Sequence, residues 1–173
     1  ECAEQLPLLT DALYADFAHT GVRLTFERVY FERRRRLARA AVSYLLCGDG
    51  DPWQARLEAS TLNMLEEIFD EVSWALPAHV NWDNDDPSGK DPMQIDLFCA
   101  ETANLMAEML DVFGDRIPSG LRERIGQRLE GIFDRYLEHD FHWMDVTHNW
   151  NAVCHQGVVG AALSRVRDPR RLA

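Results

Sequence analysis

Apolar residues recur along this chain at the three- and four-residue spacing of a helix face, and six segments carry the pattern. The spacing predicts helices over 5–19, 22–47, 52–73, 93–113, 119–138 and 151–165. The second segment has a stripe of Val29, Tyr30, Leu37, Ala40, Ala41, Tyr44 and Leu45. The third has Leu57, Thr61, Met64, Leu65, Ile68 and Phe69. The fourth has Ile95, Phe98, Leu105, Met109 and Phe113, and the fifth has Leu121, Ile125, Leu129, Ile132, Phe133 and Tyr136. No segment alternates with period two for long enough to make a strand. The expected fold class is all-α, built of antiparallel helix hairpins.

The breaks between segments differ in kind. "CGDGDP" (47–52) and "GDRIPSG" (114–120) are short and carry helix-stopping Gly and helix-starting Pro. "WALPAHVNWDNDDPSGKDP" (74–92) and "EHDFHWMDVTHNW" (138–150) are long and aromatic. In an up-down array every second connection falls at the same end. The two long loops are therefore expected together, and that end is the candidate site. The sixth segment is left without a following partner, and another helix pairing with 151–165 would be the natural continuation.

Composition narrows the function classes. The 173 residues are 46% hydrophobic and 27% charged, enough for a domain with a real core. A net charge of −11 argues against a general nucleic-acid binder. No apolar run reaches the ~18–20 residues of a membrane span, and residues 1–9 do not read as a signal peptide. The cysteines, Cys2, Cys47, Cys99 and Cys154, form no paired motif, which favours buried thiols and a cytoplasmic over a periplasmic setting. Arg dominates Lys 17 to 1, a skew of composition rather than of chemistry.

Four stretches in order carry a resemblance: "GVRLTFERVYFERRRRL" (21–37), "WALPAH" (74–79), "IDLFCAETANLMAEMLD" (95–111) and "NWNAVCHQG" (149–157). Together they resemble the N-terminal (α/α)-toroid region of the heparinase II/III-like polysaccharide lyases, over about residues 7–165. The resemblance implies that the chain is part of such a toroid. It also implies β-elimination on a uronic-acid-containing glycan, with an anionic polysaccharide or oligosaccharide as partner and no cofactor. In such a reaction a base removes the proton on C5, and the adjacent carboxylate must be neutralised by hydrogen-bond donors. Asn149 or Asn151 would supply those donors, Asn149 being preferred because it begins the motif. Where the family pattern often has a further Asn, this chain has His148, read as a base or as a partner orienting Asn149. The proton-moving Tyr and His of the family are expected beyond residue 173.

Each remaining candidate also suits a plainer structural role. Asn149 or Asn151 would also serve as the N-cap of the sixth helix. Trp150, Trp143, Trp74 and Trp82 would form sugar-stacking surfaces or simply a packed lid. His79 is a cleft residue contacting substrate or supporting the Asn loop. Arg23 is carried as a polyanion contact, although the arginines of 23–36 fit structural ion pairs better; Arg33 needs a carboxylate, for which Asp96 and Glu101 are candidates. His139, His142, His148, Cys154 and His155 do not match a zinc template. Gly157, Gly160, Ala161 and Ala162 predict close helix packing. Asp96, Glu101 and the cluster Asp83, Asp85 and Asp86 keep open a glycoside hydrolase on a similar toroid. A non-catalytic helical interaction module is the third class.

Overall fold

A computed structural model describes residues 5–80 and 94–166. Among these residues there are six α-helices, two short 3-10 turns and no strand: α1 (Asp11–Thr20), α2 (Leu24–Leu46), α3 (Gln54–Phe69), α4 (Leu97–Phe113), α5 (Ser119–Glu138) and α6 (Asn149–Arg165). None is long and apolar enough to cross a membrane. The described residues divide into two compact units, 5–71 and 72–80 with 94–166.

In the first unit, α2 and α3 pack as a hairpin closed by the short turn at 47–53. The α3 stripe seen in the sequence is buried throughout, whereas on α2 Leu45 is 54% exposed and Val29 only half-buried, and Phe26, outside that stripe, is buried instead. Phe26, Tyr30, Leu37, Ala40, Ala41 and Tyr44 are buried on α2, and Leu57, Thr61, Met64, Leu65, Ile68 and Phe69 on α3. Helix α1 adds Tyr14, edge-on to Phe26 at 5.4 Å between ring centroids. It ends at Gly21, whose φ of 68° is the left-handed value that a residue with a side chain adopts only under strain.

Arg33 is buried within this unit, and its partner is Glu71, not Asp96 or Glu101. The Arg33 Nε lies 2.7 Å from Glu71 Oε1, and the guanidinium also donates to the carbonyls of Pro7 and Glu67 at 2.8 and 3.0 Å. Arg34 adds a second ion pair to Glu71 at 2.8 Å. The network explains why α1 begins at Asp11 and not at residue 5. The carbonyls of Gln5 and Pro7 point to Arg36 and Arg33 and are not part of a helical ladder.

In the second unit, α4 and α6 form the main contact, and α5 touches both. The register is parallel. A Cβ placed on Gly157 would sit 2.6 Å from the Ala100 backbone, and one on Gly160 would sit 2.7 Å from Asn104 Oδ1. Further along, Ser164 and Arg165 reach Asp111 at 2.5 and 3.0 Å. The small residues of α6 thus permit backbone-level approach to α4, as their spacing predicts. Helix α5 returns between them in sequence, burying Leu121, Ile125, Leu129, Ile132 and Phe133.

Candidate functional site

The site is organised around two consecutive residues just before α4. Asp96 is an extended N-cap, and it is fully buried. Its Oδ1 accepts the N–H groups of Phe98 and Cys99 at 3.0 and 2.7 Å, which are among the orphan donors of the helix start. Its Oδ2 accepts the Leu76 N–H at 3.1 Å and meets His79 Nδ1 at 2.7 Å. Backbone N–H groups, two from the start of α4 and one from Leu76, use both oxygens of Asp96 as acceptors, and the imidazole nitrogen is read as one more donor to them. The 3-10 turn Pro77–His79, with Pro at its start, delivers that ring.

The neighbouring residue anchors the second loop. Trp143 donates its indole N–H to the Ile95 carbonyl at 2.9 Å and stacks on Phe141 at 5.2 Å, 12° from parallel. Residues 74–80 and 138–150 are therefore docked on one dipeptide, one through a carboxylate and the other through a carbonyl. Among the described residues, 74–80 and 138–150 do meet, as the alternation of short and long connections predicts.

Their meeting point is Trp150, in the first turn of α6. The His79 ring lies 4.7 Å from it, His142 5.6 Å and His148 6.4 Å between centroids. Phe98 stacks on His79 at 5.8 Å, 14° from parallel. Trp150 stays partly exposed, with His148 and Asn149 exposed beside it.

The cap of α6 is His148, not an asparagine. Its Nδ1 accepts the Trp150 N–H at 3.2 Å. The proton of the neutral ring then sits on Nε2, so His148 offers a donor at the mouth and not the base its position suggested. Asn149, relieved of capping, is exposed and makes no side-chain hydrogen bond among the described residues. Asn151 is committed elsewhere. Its amide nitrogen donates to the Met144 and Trp143 carbonyls at 2.6 and 3.3 Å, pinning the loop to α6.

Trp74 and Trp143 are corrections. Both are 0% exposed, so neither face is open to a sugar. Trp74 instead lies under the Arg128 guanidinium, 3.8 Å from its ring centroid, while Trp143 belongs to the core of its loop. Arg23 belongs to the first unit and pairs with Glu27 one turn along α2 at 2.7 Å. Trp82, Asp83, Asp85 and Asp86 lie outside the described residues. No three His, Cys, Asp or Glu residues among the described ones are arranged to hold a metal ion. A cleft of about 440 Å³ in the first unit is lined by Ser60, Asn63, Glu66, Glu67 and Asp70. Its carboxylate rim would repel a uronate, and it contains none of the residues around Trp150.

Two features escaped the sequence reading. Asp96, a candidate acid or ion-pair partner by residue type, is a cap, and its place directly before an apolar helical run is the signature of one. Tyr136, placed on the α5 stripe, puts its hydroxyl 2.5 Å from His155 Nδ1, and burial pushes its phenol up from the ordinary value. Cys154, also in this unit, has its thiol pushed up to about 12, by burial first and then by the carboxylates of Asp96 and Glu101. It is a packing residue and not a nucleophile. No protein-family model and no curated protein matches this chain, so what the site does has to be argued from its own residues.

Proposed function

We propose that the chain is part of an (α/α) toroid similar to the heparinase II/III-like polysaccharide lyases, and that the mouth around Trp150 takes a uronic-acid-containing glycan for β-elimination. One observation carries this reading. A partly exposed tryptophan stands among three imidazoles and an uncommitted asparagine, where two long loops converge. An aromatic face suits the C–H face of a pyranose, and amide and imidazole donors suit its carboxylate. Asn149 is the neutraliser in this reading, since Asn151 holds the loop. His148 adds its Nε2–H beside it. The parallel register of α4 and α6, with α5 returning between them in sequence, is what an inner ring of helices with outer returns requires.

The chemistry follows from the substrate. The proton on C5 becomes acidic enough to remove only when the carboxylate is shielded and its developing enolate is held by donors. Asn149 supplies N–H groups without a mobile proton of its own. A hydrolase is the less favoured alternative, because Asp96 is sealed under four hydrogen bonds and has no access to a glycosidic oxygen.

The test is near-ultraviolet absorbance of the conjugated double bond during incubation with heparan sulfate, chondroitin, hyaluronan and alginate. A rise with one of them, reduced about 100-fold or more by Asn149→Ala, is the expected result. Reducing ends that appear without the absorbance would replace the lyase with a hydrolase.

A further inference from the structure

The first turn of α6 carries Asn149 and Trp150, and a titratable ring caps it. We propose that His148 is a proton-operated latch on that turn: neutral, it holds the turn closed, and protonated, it releases it.

The observation is the atom that does the capping. His148 has the extended backbone of an N-cap, φ −114° and ψ 177°, and its Nδ1 accepts the Trp150 N–H at 3.2 Å. The residues that usually cap accept through an oxygen, which stays an acceptor between about pH 5 and 8. An imidazole accepts only through the nitrogen that carries no proton. Protonation removes that lone pair, both ring nitrogens become donors, and the Trp150 N–H loses its acceptor. The imidazolium then stands at the positive end of the helix dipole, which repels it. The two effects act in the same direction, and histidine is the side chain that ordinarily changes charge between about pH 5 and 8. His148 is exposed, so solvent delivers the proton.

The surrounding groups leave the latch to this ring. His142 from the same loop and His79 from residues 74–80 pack on Trp150, and His79 is bonded to the buried Asp96. Asp140 and Asp145 share the loop, Glu138 ends α5, and Glu101 lies on α4. The first turn of α6 holds no acidic residue that would offset an imidazolium. Release is confined to that turn, because Asn151 donates its N–H to the His148 carbonyl at 3.2 Å and its side-chain amide to the Met144 carbonyl at 2.6 Å.

The latch needs no ligand, so it is tested on the full chain alone and stands apart from the elimination reading. Amide exchange at Trp150, corrected for the intrinsic effect of pH, and nitrogen NMR of the imidazoles are followed from about pH 8 to about pH 5. Wild type, His148→Asn and His148→Ala are compared. The wild type is expected to show the neutral His148 ring protonated at Nε2, and Trp150 protection falling about tenfold as that ring titrates. His148→Asn, whose oxygen caps without titrating in this range, should stay protected throughout, and His148→Ala should be unprotected throughout. Wild-type protection that does not change with pH overturns the latch, as does a neutral ring protonated at Nδ1. The same loss in His148→Asn as in wild type would assign the change to another group, such as His142 or His79, and overturn it too. A His148→Ala chain as protected as wild type at the upper pH would mean that the ring does not hold the turn.

Discussion

The two asparagines of the α6 motif look equivalent in sequence, and the structure separates them by what their amides do. Asn151 holds two loop carbonyls, and Asn149 holds nothing among the described residues. Removing a half-buried side chain that satisfies two carbonyls costs about 1–3 kcal/mol, whereas an exposed substitution falls within about 0.5 kcal/mol. Denaturant titration should therefore show Asn151→Ala clearly destabilised and Asn149→Ala near wild type. Equal losses would mean that Asn149 is a structural residue and no neutraliser. Cys154 makes a second prediction at this scale. Its thiol is pushed up to about 12 in the fold from an ordinary value of 9.0. Above the ordinary value the unfolded chain releases a proton that the folded chain keeps, so the unfolded state binds fewer protons and stability falls with rising pH. The decline runs from about 9 to about 12 and levels off above that. Comparing wild type with Cys154→Ala across that range isolates this thiol from Tyr136, which burial shifts in the same direction.

At the scale of the element, α6 is shaped by what it lacks. The Cβ of an alanine at 157 would meet the carbonyl carbon and oxygen of Ala100 at 2.6 Å, and backbone cannot step aside. Helix propensity favours alanine by about 1 kcal/mol, but overpacking against a neighbouring backbone costs about 1–3 kcal/mol. Gly157→Ala should lower the melting temperature. Gly126→Ala should raise it, because a Cβ there meets nothing within 4 Å and only the propensity gain remains. The reverse order would mean that α4 and α6 do not approach as described. This close packing was readable from the run of Gly and Ala, as were the α5 bounds and the existence of all six helices, because long periodic stripes report burial directly. Ends and partners were not. The segment 5–9 has helical composition but gives its carbonyls to Arg33 and Arg36, a tertiary competitor that no local pattern records. His148 took the cap because its ring nitrogen reaches the Trp150 N–H, while Asn is the residue that propensity favours there. The loop tryptophans were the hardest to read. Trp74, Trp143 and Trp150 all lie in or beside polar aromatic loops, and only the docking on Ile95 and Asp96 decides which is buried.

Charge acts at the scale of the whole molecule, and it makes an unusual demand on the proposed partner. The chain carries −11, so a polyanionic glycan approaches against the net field. A protein that gathers polyanions with an arginine or lysine patch releases counterions and loses affinity steeply as salt rises. Here the donors at the mouth are an amide and imidazoles around one tryptophan, and Arg23 is paired with Glu27 on the other unit. Salt then screens the long-range repulsion more than it weakens the contacts, since the screening length near 0.1 M is about 10 Å and the contacts are shorter. Association of a uronate oligosaccharide, followed by Trp fluorescence, should hold steady or quicken between about 50 and about 200 mM salt. A fall of tenfold or more over that range would locate binding on a basic surface instead of the Trp150 mouth. A Trp150→Ala chain, which lacks the stacking face but has the same net charge, should lose the binding while an oligosaccharide still bound elsewhere would show the steep slope. The sign of the salt dependence therefore tells a stacking and hydrogen-bonding cleft from an electrostatic patch without any knowledge of which glycan is the substrate.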